Sequence, residues 1–171
     1  MIRRVRALAN KTSIEKVPFD VNDVVREIIS LVQHELISHR VSLRTDLVPT
    51  PSMILGDRVQ LQQVMINLVM NGIEAMQPVM DRPRELLIRS RQNEKRQVLV
   101  SVTDCGIGIP AENVDRLFNP FFTTKSNGMG MGLSICRSIM EAHDGQLWVT
   151  ANVPHGATFQ FALPVHTDTA S

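Results

Sequence analysis

No run of apolar residues in this chain reaches the roughly 20 needed to span a bilayer. Met1 is followed by arginines rather than by the apolar core of a signal peptide. The expectation is a chain that inserts in no membrane by itself and works in the cytoplasm, either alone or below a membrane-anchored parent. Cysteine is scarce too: Cys105 and Cys136 are the two present. They are too few for a disulfide framework, lack the paired spacing of a zinc site, and read as small buried groups in a reducing compartment. An excess of charge of one sign is also lacking. Lys and Arg number 18 against 17 Asp and Glu, so no net field draws in a polyanion and nucleic acid is not an expected partner.

What is present is a chain of 171 residues, 43% of them apolar, enough to bury one sizeable core. Ile2, Val5, Leu8 and Ala9 share a helical face, so residues 2–11 read as part of an amphipathic helix too short to stand alone. A frayed basic tail is the open alternative. After Pro18 and an extended Phe19-Asp20-Val21, Asn22 or Asp23 is the expected cap of a helix carrying Val24, Val25, Ile28, Leu31, Val32 and Leu36. Residues 41–47 alternate as a strand and are closed by Pro49 and Pro51.

The longest helical pattern runs from Asp57 to Met76, with Val59, Leu61, Val64, Met65, Leu68, Val69, Ile73 and Met76 on a wide apolar face. Residues 86–91 and 97–103 then flank a polar turn as a hairpin. The stretch from Asp104 to Gly132 is rich in glycine, proline and phenylalanine and reads as a long functional loop. A helix over 133–142 and strands near 147–150 and 158–163 complete the pattern, and the tail from His166 is expected to be disordered. Without a regular βαβ repeat, the prediction is an α/β two-layer sandwich with helices on one face of a largely antiparallel sheet.

Asn67 and Asn71 are four apart on a helix, so they point the same way from an otherwise apolar segment. Two neutral amides offer oxygen to a hard cation and N–H groups to phosphate, without charge that repels a triphosphate. Helix asparagines bonded to a neighbouring loop are the alternative. Asp104 ends a predicted strand ahead of Gly106, Gly108 and Ile109. A carboxylate there suits an adenine amino group, with the glycines admitting a flat ring and Ile109 lying against it; a solvated turn aspartate is the alternative.

Gly128, Gly130 and Gly132, followed by Leu133, open directly into a helix whose free N–H groups suit phosphate. The Lys-Ser/Thr ending of a P-loop is missing. Lys125 lies just before, either placed to meet a terminal phosphate or an ordinary surface lysine. Phe118, Phe121 and Phe122 surround Pro120, either as anchors of a lid or as aromatics pinning the loop to the core. His34 stands beside Glu35 as a phosphoaccepting histidine often does, but it shares a face with Glu27 and Ser30 and reads as a solvated surface histidine.

Taken in order, these elements resemble the histidine-kinase branch of the Bergerat-fold ATPases, a group that includes gyrase, the mismatch-repair ATPases and a heat-shock chaperone. Residues 67–76 are similar to its N box, 104–108 to its first glycine box, 117–125 to its F box, 128–133 to its second glycine box and 156–159 to its closing motif. The resemblance implies a catalytic ATP-binding domain over residues 18–164, with residues 1–17 ending a dimerisation hairpin and 165–171 as a disordered tail.

By the same resemblance, Asn71 would coordinate Mg²⁺ and Asn67 assist at the phosphates of ATP. Asp104 would read adenine, the loop from Gly128 would wrap the phosphates, and Thr158 would close the adenine side. The implied partners are a dimerisation domain that supplies the phosphoaccepting histidine and a response regulator downstream.

Two departures matter. The water-hydrolysing members place a glutamate base where Asn67 stands, so phosphoryl transfer is favoured over hydrolysis. The alternatives are an ATPase of the same fold and a nucleotide-binding module without catalysis. Glu74 stands where many histidine kinases have a lysine, so either Lys125 takes more of that load or Glu74 faces solvent. Gly72, in place of the commoner alanine, is expected to leave the backbone near Asn71 less crowded, at about 1 kcal/mol of helix stability.

Overall fold

The computed structural model describes residues 16–114, 116–118 and 130–167. The expected helix over residues 2–11 lies outside them, as do Phe121, Phe122, Lys125 and Gly128. In chain order the elements are β1 (Val17–Asp20), α1 (Val21–Ser38), β2 (Ser42–Asp46), β3 (Met53–Gly56), α2 (Arg58–Met76), β4 (Glu85–Gln92) and β5 (Gln97–Thr103). They continue with α3 (Ala111–Val114), α4 (Gly130–Ala142), β6 (Gln146–Ala151) and β7 (Ala157–Pro164).

Five strands form one sheet in the order β2-β4-β5-β7-β6, with β2 and β4 parallel and every other pair antiparallel. Alternation along each strand sends every second residue to one face. Register then aligns Ile88, Val102, Phe159 and Val149 in one row across the sheet, and Ser90, Val100, Phe161 and Leu147 in the next. All eight are buried. Helices α1, α2 and α4 cover these rows, giving the expected two layers in an α/β fold.

Helix α1 buries Val21, Val24, Val25, Ile28, Val32 and Leu36, a spacing that keeps one stripe inward. Leu31 and Val59, grouped with the apolar stripes on spacing alone, are instead exposed. The cap of α1 is Asp20 rather than Asn22 or Asp23. Its carboxylate accepts from the backbone N–H of Asn22 and of Ser52, both at 3.0 Å. Asn22 is only 2% exposed and serves tertiary structure. Its Nδ2 donates to the Val48 carbonyl at 2.9 Å, and its Oδ1 accepts from Ser90 Oγ at 2.9 Å.

Strand β3, not anticipated from the sequence, pairs antiparallel with β1 in a separate two-stranded ribbon. Arg58 at the start of α2 forms an ion pair with Glu27 of α1 and lies over the Phe19 ring, 5.6 Å from its centroid. His166, expected to start a disordered tail, is instead bonded: its N–H donates to the Met53 carbonyl, and the Val165 N–H donates to the Arg96 carbonyl.

Helix α4 is held at its C-terminal end. Lys16 Nζ donates to the Ala142 carbonyl at 2.9 Å. Buried His143 accepts the Asp57 N–H on Nε2 at 2.9 Å, so its proton sits on Nδ1 and is donated to the Ile139 carbonyl at 2.8 Å. Burial holds the His143 pKa below the ordinary imidazole value. The Lys16 charge acts in the same direction, while the Ile139 carbonyl, Asp57 and Asp144 oppose it.

The unfolded chain therefore takes up this proton at higher pH than the folded one. Stability contributed by neutral His143 is complete above about pH 6.5 and is lost as pH falls through the lowered folded value, with a slope of up to about 1.4 kcal/mol per pH unit. Urea unfolding between about pH 7.5 and pH 5 should show this decline, and His143→Asn should flatten it. A wild-type curve level across that range would refute the assignment.

Candidate functional site

The site is organised by one face of α2. Asn67 and Asn71, one turn apart, are both half-buried. Asn67 Nδ2 donates to Cys136 Sγ on α4 at 3.4 Å. Gly132, in the first turn of α4, comes so near that a methyl group there would lie 3.8 Å from the Asn67 amide nitrogen. Asn67 is thus packed beside the helix start that the sequence marks for phosphate, and Leu133 follows, buried in the core. Burial pushes the Cys136 thiol up to about 11, against the smaller opposing effect of the Asn67 amide, so it is protonated near neutral pH.

Toward its other end α2 meets the Asp104 loop. Gly72 packs on β4 and Asp104, and a methyl group there would lie 2.7 Å from Leu86 Cδ1 and 3.5 Å from Asp104 Cβ. The glycine therefore serves close approach of helix to sheet. One turn on, the Ala75 carbonyl accepts the Ile107 N–H at 3.1 Å. Glu74, between them, is half-buried. Residues 67 to 75 cover about 12 Å of helix axis, with the α4 start at one end and the Asp104 loop at the other.

Asp104 follows β5 directly and is 5% exposed. Its Oδ1 accepts from the Gly106 N–H at 2.8 Å and the Ala157 N–H at 3.3 Å, so the carboxylate is oriented rather than solvated. Gly108 of the first glycine box and Gly156 of the closing motif use backbone that side chains rarely adopt, with φ +82° and +90°. Ile109 packs half-buried against the core, while Ile107 is exposed. Thr158 pairs across the sheet with Thr103. Its hydroxyl donates to Asn152 Oδ1 at 3.1 Å and accepts from Thr103 Oγ1 at 3.0 Å.

Phe118 is buried edge-on to Phe159, 6.4 Å between centroids, with the Arg137 guanidinium over its ring. Phe118 itself is pinned to the core in this way, while Phe121 and Phe122 lie outside the described residues. His34 lies exposed on α1, with Ser38 Oγ 3.5 Å from its Nε2. Cys105 is half-buried rather than buried, and both cysteines are free. No pattern in the sequence marks Arg82, whose guanidinium reaches the Asp104 loop from the α2–β4 connection. Side chain to backbone bonds of this kind leave no spacing to read.

A family model for histidine kinase-, DNA gyrase B-, and HSP90-like ATPases matches residues 56–167. The chain is 40% identical over 164 residues to the sensor protein FixL of Bradyrhizobium diazoefficiens, covering 96% of this chain and 32% of FixL. It is 36% identical over 166 residues to the sensor protein TdiS of Thauera aromatica, covering 96% of this chain and 30% of that protein. The chain therefore spans about a third of these relatives' length.

The solved catalytic domain of histidine kinase ThkA superposes with a TM-score of 0.78 at 35% identity, covering 88% of this chain and 96% of that one. A structure of ThkA in complex with the response regulator protein TrrA matches at 30% identity with a TM-score of 0.77, covering 96% of this chain and 46% of that one. With a two-layer fold and ordered boxes to match, the chain belongs to the histidine kinase-, DNA gyrase B-, and HSP90-like ATPases, as the nucleotide-binding catalytic domain of a sensor histidine kinase.

Proposed function

We propose that this chain binds Mg-ATP along the 67–75 face of α2 and transfers the γ-phosphoryl group to a histidine on a dimerisation domain outside it. The observation that carries the reading is that one helix, α2, meets the glycine-rich start of α4 at Asn67 and the oriented Asp104 at Gly72. Adenine belongs at the Asp104 end, with Thr158 nearby, and the phosphates belong at the Asn67 end. Glycines 106 and 108 give the ring its approach, and Ile109 supplies apolar surface. Gly128, Gly130, Gly132 and Leu133 wrap the phosphates, and Lys125 meets the terminal one.

Neutral amides suit magnesium, and Asn71 is the residue that would hold it. When bound, the ion neutralises charge across the phosphates. Transfer breaks the bond between the γ-phosphorus and its bridging oxygen and forms one to an imidazole nitrogen, releasing ADP. Such a step depends mainly on positioning and charge neutralisation. Hydrolysis needs a base for water. Asn67 cannot accept that proton, and the Cys136 thiol beside it is already protonated.

Mixing the chain with a separately expressed dimerisation domain and ATP should place acid-labile phosphate on that domain, while the chain alone releases phosphate slowly. Steady phosphate release by the chain alone, abolished in Asn67→Ala, would replace transfer by hydrolysis. Bound ATP without phosphohistidine would refute transfer. A response regulator is the proposed final acceptor, on the strength of the ThkA complex.

A further inference from the structure

The two peptide units that follow Asp104 are bonded at both ends, and one side chain supplies half of the bonds. In the first unit the Gly106 N–H donates to Asp104 Oδ1 at 2.8 Å, and the Cys105 carbonyl accepts from Arg82 Nε at 3.0 Å. In the second the Ile107 N–H donates to the Ala75 carbonyl at 3.1 Å, and the Gly106 carbonyl accepts from Arg82 Nη2 at 3.0 Å. Two successive carbonyls directed at one guanidinium fix the turn of the loop. The planar fork of arginine spans both acceptors at once, as the single ammonium of lysine does not.

Arg82 is placed for this by its own surroundings. Its third nitrogen, Nη1, donates to Asp81 at 2.8 Å. Its neighbour Arg84 donates to the carbonyls of His39, Gln77 and Val79, at 2.8, 2.9 and 3.3 Å, which closes the α2–β4 connection on itself. The Arg82 side chain keeps 21% of its surface exposed and takes no part in the apolar rows beneath the sheet. What it holds is the loop whose Gly106 N–H orients the Asp104 carboxylate.

We propose that Arg82 is a positioning residue for adenine recognition, holding the Cys105 and Gly106 carbonyls so that Asp104 presents its carboxylate to the base. The inference rests on the assignment of Asp104 to adenine. Without Arg82 the two peptides can rotate about a glycine, and Asp104 loses the nearer of its two N–H partners, keeping the 3.3 Å bond from Ala157.

The test compares binding of ADP, GDP and inorganic tripolyphosphate to the wild-type chain and to Arg82→Ala and Arg82→Lys. Losing a pair of charge-assisted bonds from a part-exposed residue should raise the Kd for ADP about tenfold in Arg82→Ala. The preference for ADP over GDP should narrow by a similar factor, while tripolyphosphate binding stays level. Free guanidinium ion at millimolar concentration should recover part of the ADP affinity, and Arg82→Lys should fall between the two.

Wild-type ADP affinity and preference in both variants would overturn the role of Arg82. An equal loss of ADP and tripolyphosphate binding would overturn it as well, because a general disturbance of the fold has that signature. Should Arg82→Ala fail to fold, Arg82→Lys decides alone by the same preference ratio. A wild-type chain that binds ADP and GDP equally would instead remove the adenine assignment beneath the proposal.

Discussion

Asn71→Ala should weaken Mg-ATP binding by about 1.5–3 kcal/mol, roughly a 10- to 150-fold rise in Kd, as expected when a contact to a charged group is removed. The residue is on a helix whose attachment to the core comes from elsewhere: Leu61, Val64, Met65, Leu68, Val69, Ile73 and Met76 are all buried. Alanine is also the better helix former, so α2 itself should persist. The loss should therefore appear in calorimetric titration with nucleotide and not as a collapse of the folded state.

Chelation of the metal supplies the second arm. If Asn71 acts through magnesium, the gap between wild type and variant should shrink in excess EDTA, because both then lack the ion. Asn67→Ala should behave differently, since it also removes the amide that bonds Cys136 Sγ. Unchanged Mg-ATP affinity in Asn71→Ala would remove this residue from the site.

Gly156→Ala should cost about 3 kcal/mol or more of stability, and nucleotide affinity with it. Two penalties coincide there. The backbone has φ +90°, a conformation that costs of order 1–3 kcal/mol in an L residue. The added methyl would also strike the Asp104 carbonyl oxygen, lying 2.8 Å from its carbon and 3.0 Å from Cys105 Cα. These are backbone atoms that cannot turn aside, so the structure must shift at the residue assigned to adenine.

Gly108→Ala is the natural control. Its φ of +82° carries similar strain, but the nearest atom to an added methyl, the Gly156 carbonyl oxygen, is 3.4 Å away. Chemical denaturation should place Gly108→Ala between wild type and Gly156→Ala. Equal midpoints for the two variants would show that the clash contributes nothing.

Much of this was legible in the sequence, and for identifiable reasons. Helix α2 announces itself by a 19-residue apolar period with Asp57 at its cap. The β4–β5 hairpin shows alternation on both sides of a polar turn. Asn67, Asn71 and Asp104 stand out because polar groups in apolar surroundings need partners.

What was hidden depends on distant pairing. The ribbon of β1 with β3 uses only four residues from each strand, too few to establish a period. Asn22 reads as a better cap than Asp20 until Val48 and Ser90 arrive as its partners, 26 and 68 residues away. The parallel pairing of β2 with β4 is likewise invisible until the chain has passed through β3 and α2. Gly72 reads as a matter of its own helix until Leu86 arrives from the sheet, 2.7 Å from where a methyl would lie.

Helix α4, seen as a mechanical part, is a lever with its fulcrum far from its load. Lys16 and His143 fasten the C-terminal end. The opposite end opens beside Asn67. Thirteen residues give an arm of about 20 Å, so a tilt of about 5° at the fastened end carries the glycine end by about 1.7 Å. A shift of Lys16 against the core would in this way be carried to the helix start beside Asn67, by the stiffness of a single helix.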